Sequence, residues 1–130
     1  MRYMLLIYDC DRPEPGDPRF EEALARVNAF ADECARRGVL VAAEPLKSVS
    51  TATTVRVRDG KTMITDGPYA ETHEQLGGAY ILDCRSLDEA LELARLCPLA
   101  EVGAIEVRPI AEIPGLYLPD NAPRAAVPEG

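Results

Sequence analysis

The sequence has no excess of basic residues: 22 Asp and Glu outnumber 14 Lys and Arg, which gives a net charge of −8. Nucleic-acid binding depends on cations that neutralise phosphates, and no basic stripe interrupts this acidity. No apolar run approaches the ~20 residues that a helix needs to cross a bilayer. We therefore expect no nucleic-acid partner and no membrane partner.

Common metal-binding and catalytic motifs are also missing. The four cysteines, Cys10, Cys34, Cys84 and Cys97, form no CxxC pair, so a zinc site built on thiolates is not expected. There is no GxxxxGK[ST] or GxGxxG phosphate loop and no GxSxG nucleophile turn. The sequence therefore predicts no cofactor and no metal, and it contains no assembled set of nucleophile, base and orienting partner.

The N-terminus also lacks the features of a secretory signal. Its apolar run, "RYMLLIY", is followed by acidic residues and by no small-residue cleavage site, so we interpret it as a buried strand. Free thiols are typical of the reducing cytosol. We therefore expect a cytoplasmic protein.

Two segments have the apolar spacing of helices. Asp17 is the predicted N-cap of the first, and Gly38 its C-terminal stop. Its apolar side repeats at Phe20, Leu24, Val27, Ala31 and Cys34. The second helix begins with a capping box, Ser86 and Glu89, and is closed by Pro98.

Four segments have the character of strands, and a hairpin lies between the second and third. The strands are predicted at residues 2–8, 39–46, 79–84 and 101–109. The hairpin turns at Asp59 and Gly60, a pair typical of type I′ turns. One hairpin face, predicted to be core, consists of Val55, Val57, Thr62 and Ile64. The other, predicted to be solvated, consists of Arg56, Arg58, Lys61 and Met63.

The order of these elements predicts an α+β fold. Strand–helix–strand, hairpin, strand–helix–strand is the ferredoxin-like split βαβ plan with an extra β-hairpin. Its two helices cover one face of the sheet, and strands this apolar favour a second copy on the other. We therefore expect a homodimer that forms an α/β barrel. Residues 1–110 are the predicted domain, and residues 111–130 form a proline-rich tail that is either a mobile end or an arm lying on a partner.

The loop "TDGPYAETHEQLGG" (residues 65–78) gathers the candidate site residues. Asp66 has two interpretations: an Asx-turn acceptor for the following amides, or a carboxylate in a cleft. Residues 71–75 predict a short helical turn. His73, the only histidine, is either a general base or a solvated side chain, and a metal site around it has little support. Gly77 and Gly78 predict that the backbone passes close beside a neighbouring group, such as the loop itself.

These residues resemble a known family. "RYMLLIY", "GVLVAAEPL", "TATTVRVRDGKTMITDGPYAETHEQLGGAYILD" and "IEVRP" are similar to the DGPF (DGPFAETKE) proteins of the YCII-related group, from about Arg2 to Pro109. Tyr69 stands where phenylalanine is usual and His73 where lysine is usual. The resemblance implies a ferredoxin-like domain that dimerises through its sheet. It also implies a link to extracytoplasmic-function sigma factors and no established reaction.

Related YCII proteins are suspected of catalysis by a histidine–aspartate pair, whose histidine belongs to the first helix region. The first helix of this chain contains no histidine, so that pair is not carried over. The loss of the usual lysine at His73 shifts the interpretation towards Asp66 and Glu71.

Three functions stay open from the sequence. The first is a homodimeric small-molecule binding or regulatory module, in a sigma-factor pathway by resemblance, with ligand contacts from Asp66, Tyr69, Glu71, His73 and Tyr8. The second is a cofactor-independent enzyme that uses Asp66 or Glu71 as general acid/base on a small organic substrate. The third is a protein interaction domain that binds through its tail.

Overall fold

The structure is a computed structural model, and it describes residues 1–117. The prediction of a proline-rich tail lies mostly outside the described residues. The strands are β1 (Arg2–Asp9), β2 (Leu40–Pro45), β3 (Thr53–Arg58), β4 (Lys61–Asp66), β5 (Gln75–Asp83) and β6 (Ala104–Pro109). The α-helices are α1 (Phe20–Arg36), α2 (Leu87–Leu96) and α3 (Leu99–Val102), and a 3₁₀ turn covers Val49–Thr51.

Four strands form one antiparallel sheet in the order β2-β5-β1-β6. Strands β1 and β2 lie on either side of β5 and are joined by α1, while β5 and β6 lie on either side of β1 and are joined by α2 and α3. This is the connection of two split βαβ units. The α+β class is therefore confirmed, and the topology is consistent with the ferredoxin-like plan.

The core lies on one face of this sheet. Alternate residues of β1, namely Tyr3, Leu5 and Ile7, are buried, as expected for a strand with one face on the helices. Tyr80 and Leu82 of β5 continue the same face. Helix residues complete the core from above: Phe30, Cys34, Ala90, Leu93 and Ala94. The opposite face carries apolar side chains that are partly exposed: Met4, Leu6, Ala42, Ala79 and Ile81.

The first helix begins two residues later than its predicted first position. Asp17 accepts a hydrogen bond from the Arg19 backbone N–H at 2.8 Å, and the N-cap position is Arg19. Gly38 has a φ of +73° and ends the helix as predicted. The predicted capping box of α2 is confirmed, because the Ser86 hydroxyl accepts from the Glu89 N–H at 3.3 Å.

The hairpin has the predicted register but not the predicted environment. All four predicted pairs, from Arg58 with Lys61 to Val55 with Ile64, are present, and the turn is at Asp59 and Gly60. Its apolar face was expected to be core, and that expectation is wrong for the single chain. Val55, Val57 and Ile64 are 61%, 56% and 68% exposed, because β3 and β4 form a sheet of their own.

Two local predictions are also corrected. The last strand was expected from residue 101, but α3 occupies Leu99–Val102 and β6 starts at Ala104. The Cys97 and Pro98 carbonyls accept hydrogen bonds from the backbone N–H groups of Ala100 and Glu101, so the chain turns once more after Pro98. Residues 71–74 contain bends and no helical turn.

Candidate functional site

A cavity with a volume of about 760 Å³ opens beside the ends of β1 and β2. We call it the His73 cavity. Three chain segments form its wall: the loop after β1, the stretch between β2 and β3, and the start of β5. Its polar lining consists of Asp9, Cys10, Arg12, Glu14, Lys47, Ser48, Thr51, His73 and Gln75. Phe20, Leu46, Val49 and Leu76 add apolar surface, so the cavity suits a molecule with polar and apolar parts.

Arg12 fixes the position of these segments relative to one another. Its Nη1 donates to the Leu46 carbonyl at 2.9 Å, and its Nη2 donates to the Gly77 carbonyl at 2.6 Å. The Asp9 carboxylate lies 3.5 Å from Nη2 and neutralises part of the charge. A planar guanidinium presents several donors in a fixed geometry, so one side chain binds two neighbouring carbonyls and attaches the loop after β1 to β2 and β5.

The stretch between β2 and β3 contributes a short polar turn. Ser48 caps the 3₁₀ turn by accepting from the Ser50 N–H at 3.2 Å. The neighbouring Lys47 is exposed and has no ion pair within residues 1–117. Its ammonium group is therefore available to a ligand in the His73 cavity.

His73 reaches this cavity, whereas the two predicted carboxylates do not line it. Asp66 ends β4, Glu71 follows in the loop, and both are exposed. Among the described residues neither carboxylate accepts a hydrogen bond. The Asx-turn interpretation of Asp66 is therefore not what the structure has.

The turn at the base of the hairpin is held by Gly67 instead. Its N–H donates to the Ala52 carbonyl at 2.8 Å, and its carbonyl accepts from the Thr54 hydroxyl at 2.8 Å. Its φ of +108° is one that glycine adopts without strain. The backbone of this loop thus closes the hairpin, and the Asp66 side chain stays uncommitted.

The two predicted tyrosines lie away from the cavity wall. Tyr69 is 74% exposed, and the Arg56 guanidinium carbon lies 5.8 Å from the centre of its ring, a cation–π contact. Tyr8 belongs to the sheet face without helices, and its hydroxyl lies 3.5 Å from a Glu106 carboxylate oxygen. The structure thus brings His73 to the cavity and distributes Tyr8, Asp66, Tyr69 and Glu71 over other surfaces.

Gly77 and Gly78 allow the predicted close approach. A Cβ at Gly77 would lie 2.0 Å from Nη2 of Arg12, and a Cβ at Gly78 would lie 3.0 Å from the Glu44 carbonyl oxygen. The interpretation of this pair is therefore confirmed. The glycines provide the room that Arg12 needs to reach across the cavity.

Sequence reasoning missed Arg12 and Lys47. Arg12 lies in "DCDRPEPGDP", which reads as a turn-rich linker, and its partners are backbone carbonyls that leave no side-chain pattern. The one available signal was the Gly-Gly pair, which indicates a close neighbour without naming it. Residues 1–117 contain no cluster of three metal-ligating side chains, and no helix among them is long and apolar enough to span a membrane.

The fold and the cavity together define a small α+β domain with an open sheet face and a cavity that has polar and apolar walls. The family model of the YCII-related domain matches residues 1–114. The chain is also 40% identical over 105 residues to the uncharacterized protein R00369 of Rhizobium meliloti (strain 1021), which covers 79% of this chain and 82% of the relative. This protein belongs to the YCII-related family, as the resemblance predicted.

Proposed function

We propose that this protein is a small-molecule binding module that acts as a homodimer and holds its ligand in the His73 cavity. The observation that carries the proposal is the cavity of about 760 Å³. Lys47 and His73 both line it, and neither side chain makes a hydrogen bond or an ion pair within residues 1–117. Ligand sites typically have volumes of about 300–1,000 Å³ and combine apolar walls with a few polar groups. Phe20 and Val49 supply such a wall.

The homodimer follows from two apolar surfaces. The sheet face without helices carries Met4, Leu6 and Ile81, and the protruding hairpin carries Val55, Val57 and Ile64 on one face. A monomer rarely exposes a contiguous apolar surface of this kind without a partner. A two-fold axis lets each copy bury both surfaces of the other, which supports the α/β barrel arrangement.

The setting of the module is part of the same proposal. All four cysteines are free thiols, which supports a reducing compartment such as the cytoplasm. The likeness to DGPF-type proteins supports a regulatory role linked to extracytoplasmic-function sigma factors. In that role the bound molecule would be a signal and not a substrate.

A second candidate function is acid/base catalysis by the loop carboxylates. It is favoured by one observation: Asp66 and Glu71 are not used by the backbone of their own loop. In a homodimer the hairpin would carry this loop towards the partner copy, where a carboxylate can meet a bound organic substrate. The ligand contacts of Tyr8 and Tyr69 belong to this dimeric arrangement as well.

Binding is tested by ligand-observed NMR with a fragment set of small organic acids, amides and alcohols. Hits should shift the backbone amide signals of residues 47–51 and 73–77. Lys47→Ala should weaken the hits by about tenfold, the worth of one hydrogen bond to a charged group. Lys61→Ala, which removes an equally exposed lysine from the hairpin, should leave them unchanged. The proposed site is contradicted if neither variant changes the binding of the hits, or if no fragment binds at millimolar concentration.

The homodimer is tested by sedimentation equilibrium. Val57→Lys and Ile64→Lys place charges on the apolar hairpin face and should produce a single-copy mass. Arg58→Glu changes the charge on the opposite hairpin face and should leave the dimer intact. A wild-type protein that sediments as one copy at tens of micromolar would rule out this part of the proposal.

A further inference from the structure

A second cavity, of about 420 Å³, lies between α1 and the helix-covered face of the sheet. We call it the α1 cavity. The apolar stripe predicted on α1 explains where it comes from. Cys34 and its neighbour Phe30, in the C-terminal half of the helix, are buried in the core, whereas the residues of the N-terminal half remain partly exposed. These are Phe20, Ala23, Leu24 and Val27, and all four line the α1 cavity.

The sequence thus supplies an apolar helix face that the protein does not bury. Leu24 is 41% exposed at the rim. Interiors of folded proteins are close-packed, and a space of this size is far larger than ordinary packing defects. Truly empty apolar cavities take up small apolar molecules because the lining gains dispersion contacts that water does not provide.

Tyr80 gives this cavity a specific chemical character. Tyr80 belongs to β5, lines the cavity and is 6% exposed. Its ring packs edge-on against the ring of Phe30, with 5.3 Å between the ring centroids. Its hydroxyl has no hydrogen-bond partner among residues 1–117. No fully buried side-chain oxygen or nitrogen lacks a hydrogen-bond partner among these residues, so the Tyr80 hydroxyl is not sealed in the core. It can be reached from the space around it and can donate to a ligand there.

We propose that the α1 cavity is a second binding site, which takes a small, mainly apolar organic molecule with one hydrogen-bond acceptor that receives the Tyr80 hydroxyl proton. The volume of about 420 Å³ accommodates a substituted aromatic ring or a short branched chain. The site does not depend on the His73 cavity. Four residues border both cavities: Arg12, Pro13, Phe20 and Gly77.

The last strand ends at the other end of the sheet from the α1 cavity. The α1 cavity lies beside Ile7 and Gly78, at one end of β1 and β5. The chain leaves β6 at the other end of the sheet, where the Ile110 N–H donates to the Arg2 carbonyl at 2.9 Å. The α1 cavity and the end of β6 are about five strand residues apart, roughly 16 Å. They also lie towards opposite edges of the sheet.

The test compares two probes of nearly equal shape, acetophenone and cumene, by titration into the full-length protein followed by NMR. Acetophenone has a carbonyl acceptor and cumene has none. Both should shift methyl signals of Leu24 and Val27, and acetophenone should bind more tightly. Tyr80→Phe should weaken acetophenone about threefold to tenfold, the worth of one hydrogen bond, and leave cumene unchanged.

Tyr3→Phe is the matched control, because Tyr3 is also buried on the helix-covered face but its hydroxyl meets the Met1 sulfur at 3.2 Å and does not line the cavity. Ala31→Leu fills part of the cavity and should abolish binding of both probes. The proposal is overturned if neither probe binds at millimolar concentration, or if Tyr80→Phe and Ala31→Leu leave both affinities unchanged. It is also overturned if deletion of residues 118–130 is required before either probe binds, since the tail is then the natural occupant.

Discussion

The Arg12 guanidinium donates to the Gly77 carbonyl at 2.6 Å, in a space that any side chain at position 77 would fill. This contact joins the loop after β1 to the start of β5. The same guanidinium donates to the Leu46 carbonyl, so three segments that are distant in sequence meet at one side chain. The Leu46 N–H also donates to the Gly77 carbonyl at 2.9 Å, so β2 and β5 are joined there without Arg12, and Arg12 attaches the loop after β1 to this part of the His73 cavity wall.

We expect Gly77→Ala to displace Arg12, since the new Cβ would lie 2.0 Å from Nη2. The loss of two hydrogen bonds should lower the free energy of unfolding by about 1–2 kcal/mol. Arg12→Ala should cost a similar amount. In the Arg12→Ala background, Gly77→Ala should cost less than about 0.5 kcal/mol, because the clashing atom is gone. Urea unfolding of the four proteins measures the cycle, and additive effects would show that the two residues act independently.

Gly103 makes an even closer approach, to backbone instead of a flexible side chain. A Cβ there would lie 2.0 Å from the Tyr8 carbonyl oxygen, and neither backbone can move without shifting β1 or β6. We expect Gly103→Ala to lower the free energy of unfolding by about 2–3 kcal/mol. Ala104→Ser, at the exposed next residue, should stay within about 0.5 kcal/mol. Thermal unfolding distinguishes these results, and an unchanged melting temperature for Gly103→Ala would contradict the geometry.

At the loop of residues 65–78, the side chains of Thr54 and Asp66 differ in whether they hold the backbone. Thr54 donates its hydroxyl to the Gly67 carbonyl at 2.8 Å, whereas the Asp66 carboxylate has no hydrogen bond within residues 1–117. We expect Thr54→Val to cost about 1 kcal/mol and Asp66→Ala to change stability by less than about 0.5 kcal/mol. Chemical denaturation of both variants checks this. A loss of about 1 kcal/mol in Asp66→Ala would restore the Asx-turn interpretation.

Local signals in the sequence located both long helices, the four sheet strands and the hairpin, but they missed α3 and placed the start of β6 too early. The Ser86–Glu89 spacing and the Asp59–Gly60 pair depend on neighbours within a few residues, and the structure has both features where they were predicted. The family resemblance likewise follows from contiguous segments, of which the longest covers residues 51–83, and the family model matches residues 1–114. Such features can be predicted from a single sequence because the interacting groups are close together along the chain.

The cavities were not predictable in the same way, because their walls come from distant segments. The apolar stripe of α1 was correctly identified at Phe20, Leu24 and Val27, yet periodicity does not say how closely a helix approaches the sheet. The prediction that the apolar hairpin face is part of the core was wrong for a related reason. Alternation at Val55 and Val57 shows that a face is apolar, but not whether the same chain or another one covers it.

Acid should weaken the start of α1, where Arg19 forms ion pairs with both Asp11 and Asp17, and the Asp17 pair can be tested by itself. The Arg19 side chain holds the pKa of Asp17 at about 2, below its ordinary 3.8, chiefly through a side-chain hydrogen bond and then through the Arg19 backbone N–H. Because the pKa in the folded protein is the lower one, the stabilisation is complete above the ordinary value and is lost as the pH falls towards about 2. Asp17→Asn keeps an acceptor oxygen but has no charge, so it should be less stable than wild type at pH 6, and the difference should shrink by pH 2.

Urea midpoints at the two pH values measure this difference. Glu21→Gln serves as the control: it removes an acidic charge from the first turn of the helix, and Glu21 has no ion pair within residues 1–117. It should show no comparable convergence with wild type on acidification. If Asp17→Asn stays equally far below wild type at both pH values, the contribution of Asp17 is a neutral hydrogen bond, and the ion pair with Arg19 adds nothing to the stability of the helix start.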